Sequence, residues 1–107
     1  MQVCQLPSSS SSSLTNAVHA KGSVIYLQLW ALGRTASAET LKAEGGYDLV
    51  SASDIPMSSE GETKDSDRPR ALTLSEVKEY VDLYAQAAKN FVLGAGGDGV
   101  EIHGANG

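Results

Sequence analysis

Two short segments of the chain alternate between apolar and polar positions, which is the pattern of a β-strand with two different faces. In residues 24–30, the aliphatic face holds Ile25, Leu27 and Leu29, and the other face holds Tyr26, Gln28 and Trp30. In residues 100–103, the aliphatic face holds Val100 and Ile102, and the other holds Glu101 and His103. Both segments therefore predict strands with an aliphatic face under helices and a polar face turned into a barrel.

Helical patterns precede both segments. Residues 14–21 form a short helix-like stretch that stops at Gly22, a common residue just past a helix end. Thr73-Leu-Ser-Glu76 has the spacing of a capping box, so a longer helix begins there. Its apolar residues form one stripe at helical spacing, comprising Val77, Tyr80, Val81, Tyr84, Ala88, Phe91 and Val92. Tyrosines in such a stripe are core or rim residues more often than catalysts.

Two further regions look irregular. Residues 8–13 are an uninterrupted serine run, too polar to bury, so residues 1–13 are expected to be a disordered leader and residues 14–107 the folded part. Residues 35–70 are rich in glycine, serine and charge, and Pro56 and Pro69 break them. They predict a long excursion after the first strand, in which residues 60–70 are a solvated loop.

The first candidate chemistry lies at the end of the second strand. Ligands bind beyond the C-terminal ends of parallel strands, and His103 sits at such an end. Gly104 and Gly107 allow Asn106 to turn back beside it. The pair would offer two N–H donors to one oxygen atom that gains negative charge. A histidine bonded to a backbone carbonyl beside a turn asparagine is the alternative, and these residues alone favour it.

The first strand adds a matching face. The Gln28 amide offers both a donor and an acceptor, which suits a heterocycle edge such as the pyrimidine of a flavin. Trp30 lies next on the same face. A buried amide bonded to backbone and a core aromatic ring are the alternatives for these two residues, and both remain open.

Five segments together resemble the old yellow enzyme family, the FMN-dependent NADH:flavin oxidoreductases, and most closely its fungal branch. They are Ala17-Val-His-Ala-Lys-Gly-Ser23, Tyr26-Leu-Gln-Leu-Trp-Ala-Leu-Gly-Arg34, Pro69-Arg-Ala-Leu-Thr73, Tyr84-Ala-Gln-Ala-Ala-Lys-Asn90 and Asp98-Gly-Val-Glu-Ile-His-Gly-Ala-Asn-Gly107. The resemblance covers residues 14–107 and implies a partial (β/α)8 TIM barrel. About two barrel strands, their helices and a long connecting loop are expected, incomplete at both ends.

The resemblance also implies roles. Gln28 would be cofactor-binding, contacting FMN, and Trp30, His103 and Asn106 would be substrate-binding. In the family, NAD(P)H reduces the flavin, which passes hydride to the β-carbon of an α,β-unsaturated carbonyl or nitro compound. The family's proton-donor tyrosine follows the asparagine by two positions, beyond Gly107, so no catalytic residue is expected within the chain. The isolated chain is then expected to be inactive.

Other functions stay open beside this one. The chain could be a catalytically inactive truncated remnant or an interaction module of the same fold, or part of another (β/α)8 flavoenzyme. One departure from the family lies in residues 93–99, which carry an extra residue and have Gly97 where relatives have an aromatic ring. Glycine loosens a turn, so we expect less packing beneath the second strand and a shifted His103.

Composition narrows the partners. The chain has 107 residues, 41% of them hydrophobic, and a net charge of −5, which does not favour nucleic acid or an anionic membrane. The single cysteine, Cys4, excludes an intrachain disulfide and favours a reducing compartment. No membrane-length apolar run, secretory signal or metal motif is present, so a cytoplasmic location and a small-molecule partner are expected. A complete barrel needs about 250 residues, so marginal order or association is expected of the isolated chain.

Overall fold

The computed structural model describes residues 8–57 and 68–105, which form four strands and three α-helices joined by shorter helical turns. In chain order the elements are α1 (Ser8–His19), β1 (Tyr26–Leu29), a 3-10 turn (Gly33–Thr35), α2 (Ala38–Gly45), β2 (Val50–Ser51), β3 (Arg70–Ala71), α3 (Leu74–Lys89), a π-helix (Asn90–Gly94) and β4 (Gly99–Ile102). They divide into two compact units. Of the described residues, the β1–β4 unit contains 8–30 and 78–103, and the β2–β3 unit contains 31–57, 68–77 and 104–105.

The two predicted barrel strands form a parallel pair. Tyr26 lies opposite Gly99, and the register continues to Leu29 opposite Ile102. Backbone hydrogen bonds extend the pairing at the C-terminal end, where the His103 N–H donates to the Leu29 carbonyl at 3.0 Å. Parallel strands need a crossover connection that usually contains a helix, and α3 supplies it. The strands and their helices are therefore those that the sequence predicts.

Helix α1 begins earlier than expected. It starts at Ser8, so residues 8–13 are helical where disorder was predicted. Serine costs only about half a kcal/mol of helix stability per residue relative to alanine. A serine run can therefore lengthen a helix whose next turn is held in place by other contacts. The anchor is Thr15, which is 1% exposed and hydrogen bonds to the Ala95 carbonyl. Helix α1 ends before Gly22, whose φ of 72° is the left-handed conformation predicted for that residue.

Helix α3 has the predicted start but a slightly different inner face. From Tyr80 onward, the less exposed positions of α3 are Tyr80, Leu83, Tyr84, Ala87 and Ala88, and those of the following π-helix are Phe91 and Val92. The predicted stripe is wrong at Val77 and Val81, which are 43% and 64% exposed. The helix is turned toward Leu83 and Ala87, because these two residues continue the i, i+3, i+4 series from Tyr80 better than Val81 does.

The exit of α3 accommodates the extra residue. Residues Asn90–Gly94 form a π-helix, in which each turn contains one residue more than an α-helical turn. The expectation of lost packing at Gly97 is wrong, because the Phe91 ring lies so close to Gly97 that a Cβ there would overlap it. The Gly97 N–H also donates to the Phe91 carbonyl at 3.1 Å. A ring from the π-helix thus packs against the turn at Gly97.

The excursion between β1 and α3 is more regular than predicted. It contains α2, capped by the Ser37 hydroxyl, which accepts from the Thr40 N–H at 3.3 Å, and ended by Gly46 at a φ of 70°. It also contains the parallel pair of β2 and β3, with Val50 opposite Arg70. Most of the predicted loop of residues 60–70, namely residues 60–67, lies outside the described residues.

A charged network joins β3 to the start of α3 within the β2–β3 unit. The Arg70 guanidinium donates to both oxygen atoms of Glu76, at 3.0 and 2.9 Å, and to Asp48 at 3.3 Å. The Thr73 N–H donates to Glu76 at 2.8 Å, and the Glu76 N–H donates to the Thr73 hydroxyl at 3.3 Å, which is the predicted capping box. The bonds from Arg70 and then from Thr73 lower the pKa of Glu76 from 4.5 to about 2.

Replacing Glu76 with glutamine is expected to remove the Glu76-dependent loss of folding stability that this unit shows at acid pH. Because the folded pKa is below the unfolded one, the Glu76 carboxylate stabilises the fold above pH 4.5, and this stabilisation is lost as pH falls to about 2. Thermal unfolding followed by circular dichroism should show a lower melting temperature for Glu76→Gln at neutral pH and convergence with the parent near pH 2. Glu79→Gln, at an exposed position of α3, is the control. Parallel pH curves for Glu76→Gln and the parent would contradict the assignment.

Candidate functional site

Three of the four predicted site residues meet at the C-terminal ends of β1 and β4. Gln28 lies in β1, Trp30 follows it, and His103 follows β4. The register sets Gln28 opposite Glu101, and the alternation of strand faces then places Trp30 and His103 on that same face. All three belong to the β1–β4 unit. The sequence thus predicted their common face and common end correctly.

The Trp30 and His103 rings contact each other directly. Their centroids are 5.1 Å apart and their planes stand at 89°, a T-shaped arrangement. Such ring pairs contribute about 0.5–1.5 kcal/mol beyond the area that they bury. Trp30 is 49% exposed, so it is not a core aromatic ring. The indole therefore restrains the imidazole and still presents about half of its surface at the strand ends.

The polar atoms of Gln28 and His103 remain available to a ligand. Gln28 is exposed and His103 half-buried. Within residues 8–57 and 68–105, neither the Gln28 amide nor the His103 ring nitrogens have a hydrogen-bond partner. The alternatives that paired these groups with backbone are therefore not observed in this part of the chain. An amide and an imidazole on one face of the strand pair, without partners among these residues, can each offer an N–H donor to an oxygen atom.

The fourth predicted residue, Asn106, lies outside the described residues. Gly104 and Ala105 lead toward it and are exposed. The pairing of Asn106 with His103 therefore stays a prediction.

The other histidine serves the opposite ends of the strands. His19 Nε2 lies 2.8 Å from Asp98 Oδ2, and the Ile25 N–H donates to the same oxygen at 2.8 Å. The hydrogen bond from His19, followed by that from Ile25, lowers the pKa of Asp98. This end of a barrel is associated with stability rather than with catalysis. The pairing was missed in the sequence, where Asp98 looked only like a turn residue.

Two further residues share the face of the site. The Tyr26 ring lies against Gly99, so close that a Cβ there would overlap it. Glu101 is exposed and stands opposite Gln28 in the register. The alternation of residues 100–103 placed Glu101 on this face, but its neighbour across the pair depends on the register, which the sequence did not indicate.

Residues 8–57 and 68–105 contain neither a candidate metal site nor a candidate membrane-spanning helix. No group of three or more histidine, cysteine, aspartate or glutamate side chains is arranged to hold a metal ion. None of the helices in these ranges has both the length and the apolar content that crossing a bilayer requires.

Known fungal proteins are similar to most of the chain. An NADP-dependent oxidoreductase from Aspergillus flavus is 56% identical over 94 residues, which are 88% of this chain and 23% of that protein. A chanoclavine-I aldehyde reductase from Penicillium roqueforti is also 56% identical over 94 residues, 24% of its length. A probable inactive reductase from Epichloe festucae var. lolii is 55% identical, with 23% of its length matched. The chain thus spans about a quarter of the length of these relatives.

Solved structures agree with the predicted fold class. The old yellow enzyme from Trypanosoma cruzi superposes with a TM-score of 0.80 at 33% identity, over 94% of this chain and 31% of that one. The old yellow enzyme from a Pichia species superposes with a TM-score of 0.80 at 34% identity, over 94% of this chain and 26% of that one. Helices and parallel strands of part of an α/β TIM barrel are therefore confirmed. The family model of the NADH:flavin oxidoreductase / NADH oxidase family matches residues 9–107. The chain belongs to this family of FMN-dependent oxidoreductases, as its old yellow enzyme motifs predicted.

Proposed function

We propose that the chain forms part of the active site of an FMN-dependent NAD(P)H oxidoreductase that reduces the C=C bond of α,β-unsaturated carbonyl or nitro compounds. One observation carries the proposal. Gln28, Trp30 and His103 lie on one face at the C-terminal ends of adjacent parallel strands, and the Gln28 and His103 polar atoms have no partner among the described residues. Crevices at this position of α/β folds bind ligands.

The chemistry of these side chains fits FMN. Gln28 would hold the flavin, because its amide can both donate to and accept from the carbonyl and N–H groups of a pyrimidine edge. Its exposed position leaves both ends of the amide free to do so. When bound, FMN supplies hydride transfer, which side chains cannot perform. The protein contributes binding, orientation and charge around it.

His103 and Asn106 would bind the substrate oxygen. Two N–H donors directed at a carbonyl or nitro oxygen stabilise the negative charge that develops there as the β-carbon is reduced. Trp30 holds the His103 imidazole through the ring contact and lines the space beside it. The two residues thus combine an apolar wall with a polar anchor, which is the usual composition of a small-molecule pocket.

The relatives support a carbonyl substrate and a nicotinamide reductant. The Penicillium roqueforti protein is named an aldehyde reductase, and the Aspergillus flavus protein an NADP-dependent oxidoreductase. A flavin oxidoreductase from Emericella nidulans is 45% identical over 97 residues. For this chain, the substrate and the choice of NADH or NADPH belong to the proposal, because only about a quarter of each relative is matched.

FMN binding tests the proposal directly. Trp30 is the only tryptophan among these 107 residues and lies at the site itself, so its fluorescence reports occupancy there. Bound FMN is expected to quench this fluorescence. NADPH oxidation is expected once a cyclic enone is added. Gln28→Leu is expected to weaken FMN binding about tenfold, the worth of one to two hydrogen bonds.

The matched control is Gln86→Leu. The Gln86 amide donates to Asn90 on the surface of α3, so its loss removes an equivalent side chain away from the strand ends. FMN affinity should be unchanged in this variant. Absence of bound FMN in the parent protein, or equal loss in both variants, would contradict the proposal.

An inactive protein of the same fold is the second candidate. Relatives described as probable inactive reductase or dehydrogenase, from Epichloe and Claviceps, are 55% and 51% identical to the chain over 94 residues. This candidate predicts a stable fold without NADPH oxidation in the presence of any enone tested. The fluorescence titration and the oxidation assay together decide between the two.

A further inference from the structure

Glu101 is the one ionisable group that stands opposite the proposed flavin-binding amide. The register sets Glu101 directly across from Gln28, and both side chains lie on the exposed face of the pair. Neighbouring strands are about 4.8 Å apart, a separation that two side chains of this length can span. Neither has a hydrogen-bond partner within residues 8–57 and 68–105.

We propose that Glu101 is a positioning residue that binds the amide NH₂ of Gln28 and thereby presents the Gln28 carbonyl oxygen to an N–H of the bound heterocycle. The inference rests on the proposed function, since it assigns an orientation to the amide at that same site. An ionised carboxylate can only accept hydrogen bonds, whereas an amide has a donating and an accepting end. In a hydrogen bond between these two side chains, the Gln28 NH₂ group must therefore donate and the Glu101 carboxylate must accept.

Other donors on the face are already placed elsewhere. The Tyr26 ring lies against Gly99, at the opposite end of the pair from the site. The His103 ring contacts Trp30. Gln28 is thus the donor that faces Glu101 most directly and has no competing contact among the described residues.

A ligand over this face strengthens the pairing. Covering the strands removes water from Glu101 and Gln28, and a polar group that loses water without gaining a partner costs about 1–3 kcal/mol. The Glu101 carboxylate needs a donor under those conditions, and the Gln28 amide provides one. The free amide oxygen then selects ligands that offer N–H at the matching position. Oxidised flavin has one such group, at N3 of its pyrimidine ring.

Nuclear magnetic resonance of the Gln28 side-chain amide tests the pairing without any activity measurement. In the full protein labelled with ¹⁵N at glutamine side chains, Gln28→Leu identifies the signal. On acidification, one of the two Gln28 amide protons is expected to shift more than the other as the carboxylate is neutralised. Glu101→Gln should abolish this pH response. Resonances that do not respond to pH in the parent would overturn the pairing, whether or not flavin binds.

Selectivity between FMN and 3-methyl-FMN tests the orientation. The methylated analogue lacks the N–H, so the parent protein is expected to bind FMN about tenfold more tightly, the worth of one hydrogen bond. Glu101→Leu should lose this preference, because the freed amide can turn and donate to a carbonyl of either flavin. Glu101→Gln should retain it, since glutamine also has an accepting oxygen. The control Glu79→Leu, on the exposed surface of α3, should retain it too.

The outcomes separate this inference from the proposed function. If Gln28→Leu weakens FMN binding but Glu101→Leu keeps the full preference for FMN, Gln28 binds the flavin and Glu101 does not position it. If the parent binds neither flavin, the proposed function fails, and the resonance measurement still decides whether the two side chains pair.

Discussion

Replacing His103 with leucine is expected to lower kcat for enone reduction about 10²–10³-fold, the usual loss when one donor to a developing oxyanion is removed. Leucine is apolar and similar in size, so it preserves the contact with the Trp30 ring while removing both nitrogen atoms. Binding of phenolate, an oxygen anion that needs the same donor, should weaken in parallel. Steady-state oxidation of NADPH and a phenol titration followed by Trp30 fluorescence measure the two effects.

The chain contains a natural control for this experiment. Its only other histidine, His19, is bonded to Asp98 at the opposite ends of the same strands. His19→Leu is therefore expected to lower the melting temperature and to leave kcat of the folded protein unchanged. If His103→Leu retained full kcat and phenolate affinity, or if both variants lost them equally, His103 would not bind the substrate oxygen.

Replacing Gly97 with alanine is expected to destabilise the protein by about 1–3 kcal/mol, the range observed when an extra methyl group is forced into packed surroundings. The position of the Phe91 ring is the expected cause, because the Gly97 Cβ would overlap that ring and Gly97 has no positive φ. In a Phe91→Ala background the methyl group has room. The double variant should therefore lose less stability than the sum of the two single variants, by about 0.5–3 kcal/mol. Urea denaturation of the parent, the two single variants and the double variant measures these free energies of unfolding.

Gly94→Ala is the matched control. Gly94 lies in the adjacent π-helix, and its Cβ would have no neighbour within 4 Å. Its φ is not positive, so alanine fits there. The free energy of unfolding is expected to rise by about 0.4–1 kcal/mol, because alanine lowers the conformational entropy of the unfolded chain. Equal effects of the two glycine substitutions, or strict additivity of Gly97→Ala with Phe91→Ala, would show that the Phe91 ring does not cause the loss of stability.

Features set by near neighbours in the sequence were predicted well. The capping box at Thr73 and Glu76 and the turn at Gly22 depend on residues a few positions apart, and both occur as expected. The alternation in residues 24–30 and 100–103 depends only on strand geometry. Helix α2 was missed although Ser37 and Gly46 carry its start and stop signals. The glycine and charged residues around this segment favoured a loop. A helix of eight residues has too few apolar positions to give a clear helical pattern.

Features that depend on distant residues could not be predicted in the same way. His19 and Asp98 are 79 positions apart, and no local rule joins them. The Phe91 ring lies against Gly97, across the end of the π-helix and the turn that follows it. The sequence did not indicate that this ring would pack against the glycine.

By itself, the sequence determined the family, the two parallel strands, the helix between them and the common face of Gln28, Trp30 and His103. These follow from motifs and from the period of two, which every residue of a strand obeys wherever the strand lies. The tertiary structure alone decided that the His103 ring stands against Trp30, that Glu101 faces Gln28, and that His19 serves the opposite end. Register and ring contacts arise when separate segments pack together, so they are properties of pairs of segments that no single segment encodes.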